Sequence, residues 1–252
     1  MIADYPALYQ IDALRKLWKE AFGDTDLFLD GFFESGFSPR RCRCLTQGGE
    51  VLAAIYWFEM LYDKQRIAYL YAVATAKSHR GKGLFSTLLA DTKQVLIEDG
   101  FDGILLVPET AALGQMYEKF GFTACTTVDL HEVLPAEEVV DYREIGPEEF
   151  AALRRMMLPK GGILQEGQML SFIASQYRFW AGEGWLATGQ VYDDKTVCQE
   201  FLGDYAAMAG LVRALHASKG EFRTPGNTQP FGWFLPLWEG CKRPDYFAIA
   251  LD

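Results

Sequence analysis

Apolar residues recur at helical spacing over residues 10–22, where Ile11, Leu14, Trp18 and Phe22 share a face and Gly23 stops the run. Asp24, Thr25 and Asp26 offer caps for a second short helix carrying Leu27, Phe28, Phe32 and Phe33. The period then shortens to two. Strands are predicted over 42–46 and, past a Gly48-Gly49 hairpin turn, from 51 to about 61. Beyond Asp63 and Lys64, a continuous apolar run over 67–75 reads as a buried central strand. A short polar loop leads into a helix over 83–98, with Leu84, Leu88 and Val95 or Leu96 on its core stripe and Gly100 at its end. A strand over 103–108, a helix over 111–120 stopped by Gly121, and a pair of strands over about 122–133 complete the first half.

Residues 134–145 (LPAEEVVDYREI) read as a linker with an acidic run, after which the order repeats in outline. A helix starts at Gly146-Pro147 and turns Phe150, Leu153 and Met157 inward, and a second spans about 165–180. Strands over 185–191 and 195–202 meet at an Asp193-Asp194 turn; a helix over about 205–217 and strands over 221–224 and 246–251 follow. The pattern predicts an α/β chain with mixed sheets in two lobes, 1–133 and 146–252.

Half of the 252 residues are hydrophobic, enough for a sizeable core. No run of about 18 apolar residues predicts a membrane span, and the first residues carry acids and no apolar segment of the secretory kind. Five scattered cysteines predict no disulfide framework and suit a reducing compartment, hence the cytoplasm. Cys42 and Cys44 have no second pair, and His79, His131 and His216 are far apart, so no metal is expected. The net charge of −10 argues against nucleic acid as a partner. The charge is uneven, with 13 Lys and Arg against 16 Asp and Glu through Val128, and 11 against 18 beyond it. An anion would therefore bind the first half.

Within that half, no Asp or Glu falls between Lys64 and Ala90, while Lys64, Arg66, Lys77, Arg80 and Lys82 are basic. The central strand there runs through a loop into Arg80-Gly81-Lys82-Gly83 at the head of a helix. Helix N-termini leave backbone N–H groups without partners, and their dipole favours negative charge. Two glycines let the backbone approach a bulky anion closely, which makes the loop a candidate phosphate cradle. It is not a Walker loop, because no Lys-Ser or Lys-Thr pair follows four residues after a first Gly. Nor is it the dinucleotide fingerprint, because Ser86 stands where the third Gly is needed.

What the loop resembles is the acetyl-CoA motif of the GNAT superfamily of N-acetyltransferases, R-x-x-G-x-[GA]. Arg80 and Gly83 fill the first two fixed places, and Phe85 stands where a small residue is usual. MYEKFGF (116–122) is similar to the superfamily segment L-Y-E-K-x-G-F, and the element order over 10–133 is that of the GNAT fold. The resemblance implies a GNAT lobe over 1–133, followed by a second, degenerate GNAT-like lobe. Two-lobed aminoglycoside acetyltransferases of the enhanced-intracellular-survival type look similar in carrying a large apolar residue at the place of Phe85. The corresponding junction of the second lobe reads FLGDYAAM, with Asp204 as the expected N-cap and no basic residue between Lys195 and Arg213. That lobe is not expected to bind CoA.

By resemblance, the backbone of Arg80, Gly81, Lys82, Gly83, Leu84 and Phe85 holds the pyrophosphate of acetyl-CoA, and Arg80 and Lys82 add charge. Val73, Ala74 and Thr75 pair with the pantetheine arm where the central strand splays from the strand over 103–108. Tyr117 matches the Tyr that faces the thioester sulfur and is the candidate general acid. A phenol of pKa about 10 protonates a thiolate of pKa about 8.5 only as the C–S bond breaks. The general base is open among Glu109, Glu59 and the C-terminal carboxylate of Asp252, which serves in the enhanced-intracellular-survival type. Tyr56, Trp57 and Tyr62 fall near the expected acceptor side, and Trp180, Trp185, Trp233 and Trp238 lie in the second lobe. Aromatic faces and an acidic lobe suit a cationic primary amine on a small molecule or peptide. A homodimer is compatible with the resemblance, since dimers are common in the superfamily. Two other readings stand beside this one. One is a non-catalytic acyl-CoA sensor. The other is a tandem aminoacyltransferase of the FemABX type, against which the intact loop, the short chain and the missing helical arm argue.

Overall fold

The computed structural model describes residues 1–251; Asp252, and with it the C-terminal carboxylate considered as a base, lies outside them. The chain divides into two compact units, Met1–Leu106 with Leu235–Lys242, and Val107–Phe234 with Arg243–Asp252.

In the first unit, strands β1 (Ile2–Asp4), β2 (Cys42–Gln47), β3 (Glu50–Tyr62), β4 (Gln65–Thr75) and β5 (Gly103–Leu106) lie side by side in that order. The first four are antiparallel, and β5 runs parallel to β4. Helix α1 (Ile11–Phe22) ends on Gly23 at φ 81°, and α2 (Asp26–Gly31) is capped by the Thr25 side chain, which accepts from the Phe28 N–H. A π-helical turn, Phe32–Gly36, follows α2 directly. Trp18 of α1 packs on Phe32 and Tyr56, with ring centroids 4.6 and 5.0 Å away. Helix α3 (Leu84–Glu98) is tied to β2 by Arg43, whose Nε and Nη2 reach the two carboxylate oxygens of Asp91 at 2.7 and 3.0 Å. Alternation along β2 sends Cys42 and Cys44 to the opposite face from Arg43. Asp63 and Lys64, at φ 47° and 66°, make the two-residue turn from β3 to β4.

The second unit begins with α4 (Ala111–Glu118), β6 (Thr123–Ala124), β7 (Thr127–Val133) and β8 (Arg143–Glu144). It continues with α5 (Pro147–Met157), α6 (Gln168–Gln176), β9 (Arg178–Gly182), β10 (Trp185–Tyr192) and β11 (Lys195–Gly203). Last come α7 (Ala207–Ala214), β12 (Lys219–Pro225), β13 (Gln229–Pro230) and β14 (Trp233–Pro236). Trp233 and Phe234 of β14 pair with β6, whereas Leu235 and Pro236 belong to the first unit. One sheet runs in the order β13-β7-β12-β11-β10-β9-β8, with β11 and β12 parallel. Its core gathers Trp180, Trp185, Phe201, Leu211 and Phe222. Beneath it, the Arg154 guanidinium is buried against Glu200, with Nε–Oε2 at 2.6 Å and Nη2–Oε1 at 3.0 Å.

Four features differ from the sequence pattern. The helix predicted through residue 180 stops at Gln176, because Phe179, Trp180 and Ala181 are buried in β9, paired with β10. Residues 246–251 are buried yet form no strand. Tyr246 makes an isolated bridge with Gly162, and beyond it side chains reach the backbone, Gln165 donating to the Ile249 carbonyl and Arg223 to the Ala248 carbonyl, both at 2.7 Å. Asp204 is not the N-cap of α7, whose N-cap is Ala206; its carboxylate accepts from the Ala206 N–H at 3.0 Å, one turn earlier. Finally, β7, read as part of the first lobe, lies between β12 and β13 in the second unit's sheet.

Candidate active site

Strand β4 carries the site's first half. Its ladder with β3 has a bulge at Tyr71, since Tyr56 pairs with Ala72 and Trp57 with Leu70. Val73, Ala74 and Thr75 pair with Ile55, Ala54 and Ala53 on the β3 side. On the other side the ladder with β5 covers only 67–69, against 103–105. The backbone of residues 73–75 therefore presents an open edge beyond the end of that ladder, the kind of edge an extended amide-bearing chain can pair with.

The loop after β4 folds back on the strand. Arg80 Nε donates to the Thr75 carbonyl at 3.1 Å, and the Lys77 N–H donates to Glu20 Oε1 at 2.6 Å. Helix α3 then opens on Gly83, at φ 78°, with no side-chain cap and no acid in its first turn. Gly81 is also left-handed, at φ 74°, and nothing lies within 4 Å of where a Cβ would stand at either glycine. Arg80, Gly81, Lys82 and Gly83 are exposed, Phe85 is half-buried, and Leu84 anchors the helix in the core. A glycine N-cap, uncapped first-turn amides and flanking cations together make a surface that attracts an anion.

Tyr117 lies in the last turn of α4, in the second unit. Its ring is edge-on to Phe122 at 5.7 Å, and burial pushes its phenol up to about 12. The phenol is thus a proton donor throughout the physiological range. Thr110 caps α4 by accepting from the Leu113 N–H, and Gly114 lets the Trp233 ring lie against the helix, where a Cβ would stand 2.9 Å from it.

The carboxylates fare differently. Glu109 is exposed in the loop between β5 and α4. Glu59 is engaged, its two oxygens taking Arg66 Nε and Nη2 at 2.9 and 3.0 Å. The Arg66 hydrogen bond holds the Glu59 carboxyl below the usual carboxylate range, which makes it a weaker base. Tyr56 and Trp57, expected near an acceptor, are almost wholly buried. Tyr62, the third of these, is half-exposed, as are Phe28, Phe33, Phe37, Tyr71 and Phe85 elsewhere in the first unit. Tyr71 sits within ring contact of Trp18, Phe32 and Phe58. Among the described residues, no helix is long and apolar enough to cross a membrane.

Residues 7–125 match the family model described as an acetyltransferase (GNAT) domain. A search of curated proteins gives no significant match. Among solved structures, a GCN5-related N-acetyltransferase from Kribbella flavida superposes with a TM-score of 0.72 at 15% identity, over 92% of this chain and 70% of that one. Eis1 from Mycobacterium abscessus gives a TM-score of 0.68 at 12% identity, over 94% of this chain and 74% of that one. A tandem GNAT protein from the clavulanic acid biosynthesis pathway gives 0.57 at 10% identity, over 92% and 96% of the two chains. At these identities the likeness establishes the fold. Residues 7–125 thus match a GNAT acetyltransferase domain, within a two-lobed α/β fold that tandem GNAT structures share.

Proposed function

We propose that the protein transfers the acetyl group of acetyl-CoA to a primary amine, by direct attack of the amine on the thioester. The observation that carries this reading is the continuous run from the open edge of Val73, Ala74 and Thr75 to the uncapped, acid-free start of α3 at Gly83. The edge suits the amides of a pantetheine arm, and the loop suits a pyrophosphate. Arg80, already anchored on Thr75, and Lys82 supply charge.

The amine nitrogen forms a bond to the acetyl carbon, and the C–S bond breaks. The amine gives up a proton and the thiolate takes one. Tyr117 supplies the latter as the bond breaks, since a phenol near 12 cannot protonate a free thiolate of pKa about 8.5 favourably. Glu109, exposed and with no partner among the described residues, or the C-terminal carboxylate receives the amine's proton; Glu59, held by Arg66, is the weakest of the three candidates. The acceptor is a cationic amine, in keeping with six acids against three bases over residues 11–36, the segment that carries the half-exposed Phe28 and Phe33.

Calorimetric titration with acetyl-CoA tests the first step. The unsubstituted chain should bind, and Gly83→Asp should weaken binding at least roughly ten-fold by placing a carboxylate at the helix head. Lys82→Glu reverses a charge without touching the left-handed glycine and should weaken binding in the same direction. Failure of the unsubstituted protein to bind would overturn the reading. Binding without turnover on any amine would favour the acyl-CoA sensor.

A further inference from the structure

A cleft of about 520 Å³ opens in the second unit, lined by the end of α5, the approach to β8 and the hairpin from β9 to β10. That volume lies within the range of small-molecule sites. Leu153, Met157 and Trp185 give it an apolar floor. Around the rim stand Asp141, Tyr142, Arg143 and Glu183, all exposed.

The charges do not cancel. Arg143 Nη2 is already bound to Glu149 Oε1 at 2.5 Å, so its charge is neutralised. Asp141 and Glu183 take part in no ion pair among the described residues. A third acid adjoins them, since the Asp204 N–H donates to the carbonyl of Gly184, itself a lining residue, at 3.0 Å. The cleft also lies beside the carboxyl end of β11, where open α/β sheets commonly bind ligands. In the first unit the equivalent strand end leads to Arg80, Lys82 and free helix amides. Here it leads to Gly203 and Asp204, and the sign of the charge is reversed.

The floor also carries a buried indole. Trp185 is buried, stacked on Phe201 at 5.5 Å, and its indole Nε1 has no acceptor among the described residues. Its edge lies against Gly182, where a Cβ would stand 2.3 Å from Nε1.

We propose that this cleft binds a small organic cation carried on an apolar body, a site independent of the acetyl-CoA reading. The apolar part covers Leu153, Met157 and Trp185. The cationic head faces Asp141 and Glu183, with Tyr142 beside it as an aromatic partner.

Benzyltrimethylammonium is a suitable probe, because it has no N–H and cannot be acetylated. The chain has six tryptophans, whose indole N–H signals are separable by NMR, and Trp185→Phe assigns the relevant one. Titration of the full chain should shift the Trp185 signal saturably. The paired change Asp141→Asn and Glu183→Gln should weaken affinity about ten-fold, with the other five signals unmoved. Benzyl alcohol, neutral and of similar body, should bind far more weakly. Three results would each overturn the proposal: no saturable shift at Trp185, unchanged affinity in the paired variant, or equal affinity for benzyl alcohol. Since exposed acids alone are replaced, the five remaining indole signals report whether the variant is folded.

Discussion

Tyr117 is the proposed proton donor, and its burial sets what it can do in that role. With its phenol pushed up to about 12, it stays protonated at every pH where the fold is expected to survive. Tyr117→Phe removes the proton donor and little volume. It should lower kcat by roughly 10²-fold while leaving the affinity for acetyl-CoA within about two-fold. Because the phenol does not titrate below about 12, the pH–rate profile of the variant should keep its shape from pH 6 to about 9.5 and drop uniformly. A lost alkaline limb would assign that limb to Tyr117 and contradict its burial. Glu59 behaves in the opposite way. The Arg66 hydrogen bond lowers its carboxyl from 4.5, so the pair's stabilisation is full above about pH 4.5 and is lost as the pH falls below the depressed value. Glu59→Gln should therefore unfold over an acid range with a shallower loss of stability than the parent, and should retain most of its turnover. Loss of turnover by more than roughly 10²-fold would restore Glu59 as the base. The Glu59–Arg66 pair was legible in principle. The turn at Asp63 and Lys64 fixes Leu61 opposite Arg66, which makes Glu59 its diagonal neighbour on the same face. The hydrogen bond from Arg80 to the Thr75 carbonyl was not legible, since it depends on how the loop folds back.

At the scale of elements, the first half reads well from sequence because its strands and helices switch period sharply at Gly and Asp punctuation. The helix boundaries around Gly23 and Gly83 and the turn at Asp63 and Lys64 all follow from local chemistry. The second half reads less well where local pattern and tertiary pairing disagree. Phe179 and Trp180 extend the apolar run of α6, yet the edge of β10 recruits them into β9. The segment 246–251 looks like a strand, but beyond one bridge from Tyr246 to Gly162 its Ala248 and Ile249 carbonyls are held by the Arg223 and Gln165 side chains, a bonding mode without a sequence period. The same region holds the ion pair that joins α5 to β11. Arg154 and Glu200 are 3% and 1% exposed in their side chains, and Arg154 Nη2 also donates to Gln165. Removing one partner leaves a buried charge alone. Arg154→Met or Glu200→Leu should each cost about 3–5 kcal/mol, whereas the two together should recover most of that loss. Urea denaturation of the two single variants and the double variant measures it. Additive losses would show that the two groups are stabilised independently.

Over the whole molecule, the sequence pattern ends a first lobe at 133, whereas the first compact unit also takes in Leu235–Lys242. This segment is far along the chain but belongs to the first unit. The Gln65 side chain accepts from the Lys242 N–H at 2.7 Å and donates to its carbonyl at 2.9 Å. Asp102 receives the Leu237 N–H on its carbonyl at 2.9 Å and the Trp238 indole N–H on Oδ1 at 2.8 Å. Lys242 also pairs with Asp63, in the turn from β3 to β4. Each neutral hydrogen bond contributes about 1 kcal/mol net, and Gln65 is a buried side chain whose amide would lose both partners at once. A domain holds only about 5–15 kcal/mol in reserve, so the loss of this segment takes a large share of it. Residues 1–133 expressed alone should show no cooperative thermal transition by circular dichroism and no heat of binding with acetyl-CoA. Residues 1–242 restore the segment and test whether it acts by these contacts: Gln65→Ala in the full chain should then lower the midpoint of unfolding while leaving acetyl-CoA affinity unchanged. A 1–133 fragment that unfolds cooperatively and binds acetyl-CoA as tightly as the full chain would make the first lobe autonomous and the returning segment an ornament of the fold.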